Sequence, residues 1–247
     1  MVTIFTASTS LVILLCSFIG VLLLRSAQKG NNYNWLLATF FLMLSYYCLI
    51  AVLISTGIIR TVPHFYRTGN IALLLCMPAS YLYVRSVITN RPLTKIDLIN
   101  LLPALVYFID YIPFFLLSGD DKMRFFASPE LNRSVIMFGE STIFPPGFYI
   151  VLRYVLALVY WLLQCRLLWH ILRVKESALL LKENAVWLRW LAVFILSEAF
   201  LFLYPLAILN RQWQENTLVM FATIGGFTGL MSVFVFFFPQ ILYGIRG

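Results

Sequence analysis

Three ionisable residues, Asp110, Arg153 and Glu198, stand inside long apolar stretches. A charge at the centre of a bilayer costs about 2.5–3.5 kcal/mol on insertion scales, so such residues turn inward and find partners. Tyr149, Arg153, Tyr160 and Gln164 are spaced 4, 7 and 4 apart. On a helix they share one face about 60° wide. Asn100, Tyr107, Asp110 and Tyr111 form a second polar set, and Trp190, Ser197 and Tyr204, each seven apart, form a third. Aromatic rings beside a few charged groups line small-molecule pockets. The expected ligand-binding set is therefore Asp110, Arg153, Glu198, Tyr107, Tyr149 and Tyr160. An alternative stays open: Asp110 and Arg153 form a structural ion pair and no more.

The elements that hold these residues follow from composition. Of 247 residues, 62% are hydrophobic and only 11% charged. Soluble domains carry about 25% charged residues, and a spanning helix needs roughly 20 apolar ones. The chain reads as an all-α integral membrane protein with seven transmembrane helices at about 2–24, 34–59, 69–84, 96–117, 145–172, 186–209 and 218–242. It forms one domain. With the N-terminus outside, the inner side holds eleven basic and three acidic residues, the outer side six and five. Lys and Arg favour the cytoplasmic side, so the orientation is N-out, C-in. The net charge of +8 is then a matter of topology and not of nucleic-acid contact. On this topology Asp110 and Arg153 both lie about 10 Å below the outer surface, with Glu198 deeper.

Other motifs narrow the chemistry. Cys16, Cys48, Cys76 and Cys165 lie in apolar stretches without a CxxC pair, as buried free thiols do. His64 and His170 fall on opposite sides of the membrane and cannot share a metal. HExxH, GxSxG and phosphate-loop motifs are absent, so an enzyme is not expected, nor a cofactor; helix seven has no lysine for a retinal Schiff base. Pro78, Pro113 and Pro205 interrupt helices as hinges or as ordinary membrane-helix prolines. Pro145 and Pro146 suit a first helical turn. Gly225 and Gly229 form a GxxxG pattern, for packing within the bundle or in a homodimer.

The stretches Pro78-Ala-Ser-Tyr-Leu-Tyr-Val-Arg-Ser, Asp97-Leu-Ile-Asn-Leu-Leu-Pro103 and Phe238-Pro-Gln-Ile-Leu-Tyr-Gly244 resemble landmarks of a bacterial family. It is the seven-helix membrane region ahead of AraC-type helix-turn-helix domains in membrane-bound transcriptional regulators. The resemblance covers nearly the whole chain, with Asn100 standing where many relatives carry a histidine. It implies a multi-pass sensor in the bacterial cytoplasmic membrane that passes an outer stimulus to a cytoplasmic DNA-binding domain. That domain does not lie within this chain, which is then expected to be a truncated or a stand-alone sensor. Its partners would be the lipid bilayer and an unidentified small ligand. A small-solute transporter is the alternative; a lipid-modifying enzyme lacks a nucleophile–base pair.

The topology is open to a direct test. In intact cells a cysteine placed at Ser128 is expected to react with an impermeant thiol reagent, and one at Ser177 to be protected. The opposite pattern would overturn the orientation.

Overall fold

The computed structural model describes residues 2–28, 33–127, 143–145, 147–173, 185–199, 226, 227, 229–231 and 234. Among these residues every regular element is helical and no strand occurs. Four helical stretches are long and apolar enough to cross a membrane: Thr6–Gln28, Asn34–Ser55, Pro63–Thr89 and Phe148–Arg173. Most of the expected seventh helix and the second half of the sixth lie outside the described residues, as do Pro205, Gly225 and Tyr204.

Helix α1 (Val2–Gln28) shows why the chain belongs in lipid. Val12, Cys16, Ile19 and Leu23 are buried at spacings of 4, 3 and 4, which is one helical face. Leu11, Leu14, Phe18 and Val21 lie exposed around the rest. A helix apolar all round has no face for water. Helix α2 (Asn34–Ser55) packs closely on α1. A Cβ added at Gly20 would lie 2.6 Å from Leu42 Cγ, so only a glycine permits this approach. Ser17 and Ser45 bond across the same seam at 2.8 Å, and Ser45 also donates to the Ile13 carbonyl at 3.1 Å. Small residues and satisfied hydroxyls are what helix pairs in lipid need.

Gly57, at φ 76°, ends α2. The turn 3₁₀ helices Ile58–Arg60 and Pro63–Phe65 then lead to α3 (Thr68–Thr89). This helix is five residues longer at its C-terminal end than expected. Arg85 can stay helical because Asp97 neutralises it, and Asn90 stops the helix in the left-handed conformation. α3 is the central element, with α2 on one side and the later helices on the others.

The fourth expected span is broken into short pieces. A 3₁₀ helix, Lys95–Leu101, precedes α4 (Leu102–Asp110) and α5 (Ile112–Phe115). Pro103 and Pro113 stand in the first turns of α4 and α5. Pro113 has no N–H for the Ile109 carbonyl, which weakens the helix there, and the chain breaks at Tyr111, whereas α3 runs on through Pro78. Leu102, Leu105, Phe108, Ile112 and Leu116 nevertheless line an exposed apolar face along these pieces.

The stretch expected to be a polar loop opens with a helix, α6 (Gly119–Ala127). Ser118 caps it: the Asp121 N–H donates to Ser118 Oγ at 3.2 Å, and that hydroxyl donates to Asp121 Oδ2 at 2.7 Å. The long helix α7 (Phe148–Arg173) begins after Pro145 and not on it, because Gly147 sits at φ 83° and turns the chain first. Helix α8 covers Ala185–Glu198. Trp190 and Phe194 of α8 enter the core, where Phe194 meets Phe40 with ring centroids 5.4 Å apart.

Because Gly20 sits under Leu42, Gly20→Val is expected to destabilise the bundle by about 1–3 kcal/mol through overpacking. The unfolding midpoint in detergent micelles measures it. An unchanged midpoint would mean that α1 is free to shift on α2.

Candidate functional site

Two polar clusters occupy two levels of the bundle. The first lies at the end that carries His64. Asp110, buried at the C-terminus of α4, accepts from the Ile143 backbone N–H and from the Tyr149 hydroxyl, both at 2.8 Å. Tyr149 stands edge-on to Tyr107 at 4.8 Å, and Tyr107 stacks on Tyr111 at 4.4 Å. The Tyr107 hydroxyl accepts from Asn70 Nδ2 at 3.0 Å and reaches the Arg67 carbonyl at 3.4 Å. α3, α4 and the start of α7 thus meet through side-chain hydrogen bonds.

Two cations sit beside these rings. Arg67 is a non-glycine residue in the left-handed region, at φ 69°. Such a residue is uncommon and worth explaining. Its guanidinium lies 4.5 Å from the Phe114 ring centroid and 5.0 Å from that of Tyr111, where the ring quadrupoles attract it. Lys122 of α6 is 1% exposed. Its ammonium donates to the Phe115 carbonyl at 2.8 Å and sits 2.9 Å from His64 Nδ1. Burial lowers its pKa from the usual lysine value. An ammonium at hydrogen-bond distance from Nδ1 makes that nitrogen the acceptor. His64 therefore helps to pin α6 on the bundle.

The expected Asp110–Arg153 pair does not form among the described residues. Arg153 lies over the Tyr154 ring at 5.3 Å. Equal depth on neighbouring helices does not fix direction around the helix axis. Tyr149 takes the place at Asp110 instead.

The second cluster lies deeper along α7. Tyr160 donates to Asn100 Oδ1 at 3.1 Å and faces Tyr81 at 5.6 Å. Gln164 Nε2 donates to Glu198 Oε2 at 2.7 Å and to Ser80 Oγ at 3.3 Å. Residues 149 and 164 are about 22 Å apart along a straight helix. Glu198 therefore does not join Asp110 in one pocket.

An ion pair closes the opposite end. Arg85 makes a two-point contact with Asp97, with Nη2 to Oδ2 at 2.8 Å. The Thr94 N–H and hydroxyl also bond to Asp97 Oδ2, at 2.7 and 3.0 Å. The guanidinium holds the Asp97 carboxyl well below the usual carboxylate range.

Sequence reasoning named Tyr107, Asp110, Tyr149 and Tyr160 at positions that the structure joins in hydrogen bonds or ring contacts. It missed Arg67 and Lys122 as members of the aromatic cluster, because loop cations read as topology markers. Ser118-Gly-Asp-Asp121 was the available signal, a capping pattern that marks the start of the helix bearing Lys122. Among the described residues no group of three metal-ligating side chains occurs. No protein-family model, curated protein or solved structure matches the chain.

Asp97 gives a prediction with a definite sign. Its carboxyl titrates lower in the folded state, so its stabilisation is complete above the unfolded value of about 3.9. That contribution is lost only as pH falls through the lower folded value. Asp97→Asn is expected to cost about 1–3 kcal/mol at neutral pH. The pair's share of stability should not change between pH of about 7 and about 5. Unfolding of both proteins over that range checks this, and a gap that closes by pH 5 would refute it.

Proposed function

We propose that this chain is the membrane-embedded sensory bundle of a bacterial signalling protein. In this reading its N-terminus and the His64 end face outward. A small ligand binds at that end, and the change passes to a cytoplasmic DNA-binding output domain beyond this chain. The bundle would lie in the cytoplasmic membrane with seven passes, four of which correspond to the long helices above.

One observation carries the reading: the hydrogen bond from Tyr149 to Asp110 joins α7 to α4 inside an aromatic cluster flanked by Arg67. A ligand donor that displaces the Tyr149 hydroxyl from Asp110 would release the start of α7. Only such differential contact lets a ligand shift a conformational equilibrium. The rings of Tyr107, Tyr111 and Tyr149 offer apolar surface, and Asp110 an acceptor, which suits a small molecule with one polar and one apolar part. The resemblance to the AraC-type membrane region and the inward bias of basic residues support the direction of signalling.

A transporter for a small solute is the second reading. The buried Glu198–Gln164 pair favours it, since ionisable groups deep in a bundle mark substrate and ion paths.

The test fuses a DNA-binding domain after Gly247 and reads a reporter against candidate solutes. Tyr149→Phe and Asp110→Asn are each expected to move the half-maximal concentration about tenfold or more, as loss of a hydrogen bond to a charged group implies. Normal dose responses from both variants, expressed as well as the parent, would refute the site. Accumulation of solute in vesicles carrying this chain alone would establish transport instead.

A further inference from the structure

The Glu198–Gln164 contact has one donor too few. The Gln164 amide uses one N–H on Glu198 Oε2 and the other on Ser80 Oγ. Ser80 spends its own proton on the Met77 carbonyl, at 2.8 Å. Two oxygens then remain, Glu198 Oε1 and Gln164 Oε1, both covered and without a hydrogen-bond partner among the described residues. Glu198 and Gln164 are each 1% exposed, and Ser80 is buried with them. An ionised carboxylate is acceptor-only, so in that state two buried acceptors face a site whose one further hydroxyl, that of Ser80 beside Glu198, is turned to the Met77 carbonyl. Each unmet polar group in such a place costs about 1–3 kcal/mol, more if charged.

No cation relieves this. Among the described residues no Lys, Arg or His pairs with Glu198. The titratable groups that face it are Cys76 from α3 and Cys165 from α7, and a thiol brings no positive charge. Beyond Glu198, residues 199–242 contain a single basic residue, Arg211. A hard metal ion is a poor occupant, because such ions take about six oxygen ligands and this site has two to offer. One proton supplies the missing donor.

We infer that Glu198 and Gln164 form a proton-binding site at the junction of α3, α7 and α8. The proton sits on Glu198, which donates it to the Gln164 amide oxygen while accepting from the amide N–H. No other bond changes. Release of the proton leaves a bare carboxylate among Ser80, Cys76 and Cys165, which the junction can stabilise only by admitting water or by moving its helices apart. Proton occupancy is thereby tied to the packing of α7 against α3. The site is independent of whether the bundle senses a ligand or transports one.

The test is infrared spectroscopy on the full chain in lipid nanodiscs near neutral pH. A carbonyl band of a protonated carboxylic acid is expected, lost in Glu198→Gln and shifted in Gln164→Leu, but kept in Asp110→Asn. Glu198→Gln should fold, since an amide has the shape of the protonated acid, and its unfolding midpoint should lack the pH dependence that Glu198 is expected to give the parent. Three results would overturn the site: no such band, an unfolded Glu198→Gln protein, or a midpoint that responds to sodium at fixed pH.

Discussion

The central place of α3, with α2, α4, α7 and α8 around it, constrains the rest of the molecule. Many of its polar side chains find partners on neighbouring helices, because lipid offers none. Thr68 bonds to Tyr46 of α2 at 2.7 Å, and Asn70 to Tyr107 of α4. Cys76 reaches the Phe40 carbonyl of α2, Ser80 accepts from Gln164 of α7, and Tyr83 accepts from Trp190 of α8 at 3.2 Å. Arg85 closes the series on Asp97. The ties climb the helix and fan out around it. Apolar contact holds these helices loosely in direction, since Leu against Leu differs little from Leu against lipid; the polar ties fix which neighbour sits where.

Charge is handled differently by sign. An aromatic-rich bundle can hold a cation on ring faces, as Arg67 shows on Phe114 and Tyr111, or on a carbonyl, as Lys122 shows on Phe115. Ring faces repel an anion. An acid must be met by N–H or O–H groups, and these are scarce once helices have used their own. Asp110 therefore takes a backbone N–H from beyond α6 and a phenol from α7, and Asp97 takes a guanidinium. Glu198 has an amide and, beside it, the hydroxyl of Ser80, which is already turned to a carbonyl. The acids are thus the places where the bundle is most conditional on its surroundings.

The sequence revealed the class and the inward residues better than their partners. Apolar runs marked α1, α2, α3 and α7 to within a few residues, because length and hydropathy decide insertion. Tyr149, Tyr160 and Gln164 were legible as one stripe because 3.6-residue periodicity places them together. Arg153 shares that stripe yet lies over Tyr154 of its own helix, since a long flexible side chain at the margin of a face can turn away from it. The break at Tyr111 was half legible: Pro113 was visible, but its effect at the first turn of a new helix depends on the backbone on both sides. Helix α6 was hidden by its charges, which read as loop although Ser118 and Asp121 cap it.

Three residues of the α7 stripe bond to four separate partners, and this has a mechanical consequence for the proposed sensor. Tyr149 holds Asp110, Tyr160 holds Asn100, and Gln164 holds Glu198 and Ser80. A stiff helix that rotates to free Tyr149 turns the other two by nearly the same angle. Asn100 belongs to the 3₁₀ helix that also carries Asp97, so rotation pulls on the Arg85 end as well. Close-packed interfaces settle into discrete arrangements and resist continuous deformation. A displacement at Tyr149 therefore either is absorbed at once or carries all three contacts over together, and the shared face of α7 favours the second.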